Sequence, residues 1–166
     1  MGSEFWIELD RDDTSQPDAG PGLPEGLASE REGYARAYTL LYVEDNSANL
    51  MLVEQIIERG PHVRMLSAPD GISGVALAQR QLPDVILMDI NLPGISGIEA
   101  MLLLREDPTT THIPVIALSA NAMQRDVDQG LNAGFFRYLT KPIRIHELTE
   151  ALEAAIQAPG AERPAA

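Results

Sequence analysis

The chain has no cysteine among its 166 residues. Disulfides, thiolate nucleophiles and cysteine-based zinc sites are thereby excluded. Aromatic residues are sparse, with one tryptophan, three phenylalanines and four tyrosines, and none interleave with a basic patch. Positive charge is scarce as well: 12 Lys and Arg stand against 25 Asp and Glu, a formal net charge of −13. Residues 1–38 hold nine acidic and three basic side chains, so both this segment and the remainder are acidic. That balance opposes binding to a phosphate backbone, and no nucleic-acid partner is expected. No apolar stretch approaches the roughly 18 residues that a membrane helix requires, and no signal peptide is visible. The three histidines, His62, His112 and His146, are scattered and suggest no imidazole metal site. The expectation is a soluble, cytoplasmic protein without membrane contact, its 45% hydrophobic content ample for one core.

Organisation changes along the chain. Residues 10–37 are rich in Pro, Gly, Asp and Glu and read as a flexible acidic linker. Residues 1–9 contain a short apolar island, Phe5, Trp6, Ile7 and Leu9. This island reads either as a cloning leader (Met-Gly-Ser-Glu-Phe) or as the remnant of a preceding domain. From Thr39 onward, apolar runs alternate with helical periods. TLLYV (39–43), VRMLSA (63–68), DVILMD (84–89), PVIAL (114–118) and FRYLT (136–140) read as strands buried in a parallel sheet. Between and after them, residues 46–58, 70–80, 98–105, 123–132 and 145–156 carry helical patterns. Gly60-Pro61, Pro108 and Gly134 are the stop signals. In the first helix Leu52, Val53, Ile56 and Ile57 are expected to face the core, with Leu50 at the boundary and Met51 opposite. Five βα units over about 120 residues make an α/β fold, a doubly wound parallel sheet with helices on both faces. Residues 158–166 read as a frayed tail, and no internal repeat is evident.

Polar residues interrupt these runs at one recurrent place. Glu44-Asp45 follow the first strand, Asp89 ends the third, Ser119 follows the fourth and Lys141-Pro142 the fifth. In an open parallel sheet the C-terminal strand ends share one edge, so these residues converge. Asp89 is expected to be exposed at this edge, and each residue has a plainer role when taken singly: Asp89 as a turn-forming or helix-capping residue, Glu44-Asp45 as a first-turn charge pair, Ser119 as a helix N-cap. Together, three carboxylates call for a compensating cation, and Mg²⁺ suits an oxygen-only set that leaves room for water. A cation, a hydroxyl and an ammonium can neutralise phosphoryl oxygens, which is what phosphoryl transfer demands.

The motifs VEDN (43–46), ILMDINLPGISG (86–97), ALSANA (117–122) and YLTKPI (138–143) resemble the receiver domain of two-component response regulators. The resemblance covers residues 38–157 and implies a flavodoxin-like sheet of order 2-1-3-4-5. It implies that Asp89 is the nucleophile accepting phosphate from phosphohistidine. It further implies that Asp45 binds Mg²⁺ directly, Glu44 through water, and the backbone carbonyl of Asn91 as a third protein ligand. Ser119 and Lys141 are then phosphoryl-binding switch residues, Tyr138 the aromatic switch, and Lys141-Pro142 a cis peptide. Glu44 replaces the more frequent Asp and Ser119 the more frequent Thr, both chemically equivalent for these roles.

The implied partners are a histidine kinase or a histidine phosphotransfer domain, with a homodimer as a further possibility. Leu50 and Met51, beside the acidic edge, are candidates for docking a helical phosphotransfer domain; scattered surface apolars are the plainer reading. The segment YVEDNSANLMLVEQII resembles receivers attached to hybrid sensor histidine kinases, and FWIEL resembles the closing strand of a kinase ATP-binding domain. A hybrid-kinase receiver is therefore expected, with a stand-alone regulator, an aspartyl-phosphate phosphatase and a pseudo-receiver as alternatives. The phosphatase reading lacks an acid two residues after Asp89, where Asn91 stands. His146-Glu147-Leu148 resembles a kinase phosphodonor box, yet its place after Lys141-Pro142 makes it an ordinary first-turn segment.

Overall fold

Five β/α units follow one another in the computed structural model, which describes residues 37–59, 63–121 and 123–158. The strands are β1 (Tyr38–Val43), β2 (Val63–Ala68), β3 (Val85–Asp89), β4 (Val115–Ser119) and β5 (Arg137–Thr140). The helices are α1 (Ser47–Ile57), α2 (Gly71–Gln81), α3 (Gly97–Glu106), α4 (Gln124–Ala133) and α5 (Ile145–Gln157). Every expected element is present with its ends shifted by at most one residue. The expected segment at 1–9, the linker except Ala37, the Gly60-Pro61 stop and the tail beyond Ala158 lie outside the described residues.

All strand pairings are parallel and the sheet order is β2-β1-β3-β4-β5. The winding direction reverses between β1 and β3, so a crevice opens at their C-terminal ends. Those ends carry Glu44-Asp45 and Asp89. The strands differ in burial. All of β3 and β4 and the last four residues of β1 are buried, while β5 is half-buried and β2 alternates with exposed positions. The five runs were expected to be uniformly buried; the two at the sheet edges are not, because each has a neighbour on one side alone.

Side-chain alternation splits the core into two layers. Leu41, Val43, Ile86, Met88, Val115 and Ala117 pack under α2 and α3, with Phe135. Leu40, Tyr42, Val85, Leu87, Ile116 and Leu118 pack under α1 and α5. Each fully buried Leu or Ile contributes roughly 1.5–3 kcal/mol, so these layers can offset the cost of holding charged groups at one end of the sheet. In α1, Val53, Ile56 and Ile57 are buried as expected, but Leu52 is not. Leu52 is exposed, and Leu50 is half-buried against the α1/α5 layer in its stead. The helix is rotated so that positions 50, 53, 56 and 57 share the inner face.

Caps fix the helix starts. Asn46 accepts from the Ala48 N–H at 2.9 Å, Asp70 from the Ser73 N–H at 2.8 Å, and Ser96 and Glu99 form a reciprocal capping box. α3 stops at Asp107, held extended (φ −87°, ψ 118°) before Pro108, and Gly134 ends α4 in the left-handed region at φ 107°.

Candidate functional site

Asp89 is the last residue of β3, and its backbone is tied to the neighbouring strand where the Ile90 N–H donates to Leu118 O at 2.9 Å. The expectation of an exposed carboxylate is corrected: Asp89 is only 3% exposed. It lies at the sheet edge, but Lys141 covers it. Asp89 Oδ2 accepts from Lys141 Nζ at 2.7 Å, and Oδ1 accepts from the Asn91 N–H at 2.8 Å. The bond to Asn91 turns the chain sharply away from the strand, an Asx turn set by the short side chain.

Glu44, immediately after β1, is 1% exposed. Its Oε2 accepts from Tyr42 Oη at 2.9 Å, Lys141 Nζ at 3.0 Å and Asn49 Nδ2 at 3.1 Å, while Oε1 accepts from the Asn46 N–H at 3.1 Å. Asp45 is exposed. Oxygens of Glu44, Asp45 and Asp89 all lie within 4.8 Å of one another. Three carboxylates and one ammonium leave a deficit of two positive charges on a set of hard oxygen donors. A divalent cation that retains water fits that deficit and that donor set.

The electrostatics follow from this packing. Burial alone would raise the Glu44 carboxyl. The hydrogen bonds from Lys141, the Asn46 N–H and Tyr42 outweigh it and hold the group below its ordinary value. Burial likewise disfavours the Lys141 ammonium, yet hydrogen bonds to Asp89 and Glu44 raise it above the ordinary lysine value. The Tyr42 phenol is pushed well up, first by burial and then by the neighbouring Glu44 charge and the bond to it.

The other expected residues divide. Lys141 is brought into the cluster, and its peptide bond to Pro142 is cis as the resemblance implied. Ser119 is buried at the end of β4, and its Oγ accepts from the Asn121 N–H at 3.1 Å. It is not the N-cap of α4; that position is Met123, which offers no side-chain acceptor. The Lys141 N–H donates to Ser119 O at 2.8 Å, so the ends of β4 and β5 are fastened together. Tyr138 packs half-buried in the α2/α3 layer, its ring over Gly130 of α4. Met51 is exposed, while Leu50 turns partly inward. His146, 88% exposed on α5, faces Glu150 at 3.6 Å and takes no part in the cluster. Two residues escaped the sequence reading as parts of the site: Tyr42 and Asn49. The signal for Tyr42 was present, a phenol in an aliphatic strand two positions before an acid and so on the same face.

The response regulator receiver domain family matches residues 40–153. The chain is 40% identical to the response regulator PleD of Caulobacter vibrioides over 104 residues, which is 63% of this chain and 23% of PleD. It is 35% identical to the polar-differentiation response regulator DivK of Brucella anthropi over 116 residues, covering 70% of this chain and 94% of DivK. Among solved structures, the receiver domain of a sensor histidine kinase from Pseudomonas aeruginosa is similar at a TM-score of 0.68 and 36% identity, over 74% of this chain and 100% of that one. That structure holds a magnesium ion coordinated in its active-site cleft. With the family matching most of the chain and the fold and acidic cleft in agreement, the chain belongs to the response regulator receiver domains of two-component signalling.

Proposed function

We propose that this chain is the phosphoacceptor of a phosphorelay, taking a phosphoryl group from phosphohistidine onto Asp89. The observation that carries this reading is the buried cluster in which Lys141 bridges Asp89 and Glu44 while Asp45 stands open beside them. A carboxylate oxygen of Asp89 attacks phosphorus; the phosphorus–nitrogen bond breaks and the histidine nitrogen leaves with the bonding pair. Lys141, already on Asp89, then meets a phosphoryl oxygen, and Ser119 meets another. Glu44, Asp45, Asp89 and the Asn91 carbonyl would hold Mg²⁺. When bound, the ion supplies positive charge against the carboxylates and the phosphoryl oxygens. Tyr138, packed over Gly130, is placed to carry the change toward α4.

The partner is a histidine kinase or a histidine phosphotransfer domain. Met51, with Leu52 beside it, offers apolar surface on α1 next to the acidic edge. The parent protein is read as a hybrid histidine kinase, supported by the similarity to a sensor-kinase receiver. A stand-alone regulator is the second reading, favoured by the match over nearly all of DivK. A phosphatase is disfavoured, because Asn91 cannot supply a general acid.

The test uses acetyl phosphate and Mg²⁺ with intact-mass detection. One phosphoryl group per chain, absent in Asp89→Asn, is expected. Labelling that persists in Asp89→Asn, or none in the wild type, would overturn the proposal.

A further inference from the structure

Tyr42 lies in the aliphatic layer under α1 and α5, wholly shielded from solvent. Phenylalanine would fill the same space without needing an acceptor for a buried hydroxyl. Here the acceptor is Glu44 Oε2, at 2.9 Å. Strand alternation puts residues 42 and 44 on one face, so the backbone of β1 sets this contact. Asn49, half-buried in the first turns of α1, donates to the same oxygen at 3.1 Å, and the Asn46 N–H holds the other oxygen. Three of the four donors to Glu44 are therefore neutral and belong to β1 or the segment that follows it. The fourth, Lys141, is charged and reaches across from the end of β5.

We propose that Tyr42 and Asn49 are positioning residues that hold the Glu44 carboxylate in one orientation while Lys141 turns from it to the phosphoryl group. This rests on the phosphoacceptor reading above for the role of Lys141. A buried carboxylate stripped of its cation is costly unless other donors remain on it. The phenol and the amide are those donors. They lower the cost of releasing Lys141 and keep Glu44 aimed at the cleft before and after transfer. Without them Lys141 is the one donor left on Oε2, with the Asn46 N–H on Oε1, so the ammonium is held back and the carboxylate swings off the cation site.

The test is Tyr42→Phe, which keeps the ring, with Asn49→Ala as an independent variant at a less buried position. Mg²⁺ affinity is read by amide chemical shifts on unphosphorylated protein, and the modification rate with acetyl phosphate at saturating Mg²⁺. Each substitution is expected to weaken Mg²⁺ binding and slow modification by about fivefold, the scale of one lost hydrogen bond. In a Glu44→Gln background, Tyr42→Phe should add nothing, a coupling that a merely structural role does not produce. Unchanged Mg²⁺ affinity and rate in both variants, or an undiminished effect of Tyr42→Phe beside Glu44→Gln, would overturn the proposal. The Mg²⁺ measurement needs no phosphate, so it decides the role of Tyr42 even if wild type takes none, a result that would sink the phosphoacceptor reading instead.

Discussion

Lys141 Nζ lies 2.7 Å from Asp89 Oδ2 and 3.0 Å from Glu44 Oε2, so one ammonium holds two carboxylates that are almost wholly buried. Residues 97 and 52 positions apart in sequence are joined by it. The bridge ties the end of the edge strand β5 to the two central strands. It also leaves Asp45 as the exposed member of the acidic set.

Removing that ammonium should invert the pH dependence of stability. In the wild type the Glu44 value is depressed, so its contribution is present above the unfolded value of 4.5 and is lost as pH falls below it. The Lys141 value is raised, so its contribution is full below 10.5 and is lost as pH climbs through the folded value. Stability should plateau between those limits. In Lys141→Met the burial penalty on Glu44 is no longer outweighed by the ammonium, and its folded value rises above the unfolded one. That variant is most stable in acid and loses stability as pH rises toward neutrality. Its deficit at pH 7 should be about 2 kcal/mol, below the ~3–5 kcal/mol of a fully buried pair because the lysine is partly exposed. Thermal unfolding of metal-free protein at pH 5 and pH 8 checks this; equal losses at both would contradict it.

Gly97 should tolerate no side chain. A Cβ there would press on the Asp89 carbonyl and lie 2.8 Å from Ile90 Cα, both backbone atoms, while the Gly97 N–H already bonds to Ile90 O at 2.9 Å. Gly97→Ala gains up to about 1 kcal/mol in helix propensity but is expected to cost more in overpacking, about 1–3 kcal/mol. It should also slow modification of Asp89, whose backbone must give way. Gly94→Ala is the control: at φ +80° it is strained, yet nothing lies within 4 Å of its Cβ. Urea unfolding should show a loss in both variants, while slowed modification belongs to Gly97→Ala alone.

Much of this was legible because period and punctuation agree in this chain. Apolar runs and helical periods that stop at Pro108 and Gly134 leave little freedom in where those helices end. The caps Asp70 and Ser96, which the sequence reading did not single out, fix the starts of α2 and α3. The acidic pair, Asp89 and Lys141 were legible because a parallel sheet forces strand ends together. Rotation of α1 was less so: Leu50 and Leu52 differ by about 200° around a helix at 3.6 residues per turn, and both are leucine. Packing of α1 onto the layer that holds Leu40, Tyr42 and Leu87, not hydrophobicity, decides which of them turns inward. The burial of Asp89 was misjudged for a related reason, since the cover comes from Lys141, 52 residues away.

The exposed face of α1 yields the sharpest test of partner docking. Met51 and Leu52 are 59% and 38% exposed, and Leu52 borders a groove of about 300 Å³ with Gln55, Ile56, Arg59, Ile145 and Thr149. On the docking proposed above, a helical donor seated there would bring its phosphohistidine to the acidic edge. Met51→Asp removes exposed apolar surface without opening the core, so stability should change by no more than about 0.5 kcal/mol. Transfer from a phosphorylated histidine phosphotransfer domain should slow by about tenfold, the effect of an interface residue worth a little over 1 kcal/mol. Modification by acetyl phosphate, which needs no docking, should be unchanged. Leu103→Asp on α3, exposed on a helix of the other sheet face, should alter neither rate. The discriminating quantity is the ratio of the two rates. If Met51→Asp slows acetyl phosphate as much as protein donor, the residue supports the site, not the partner; if it slows neither, docking lies elsewhere.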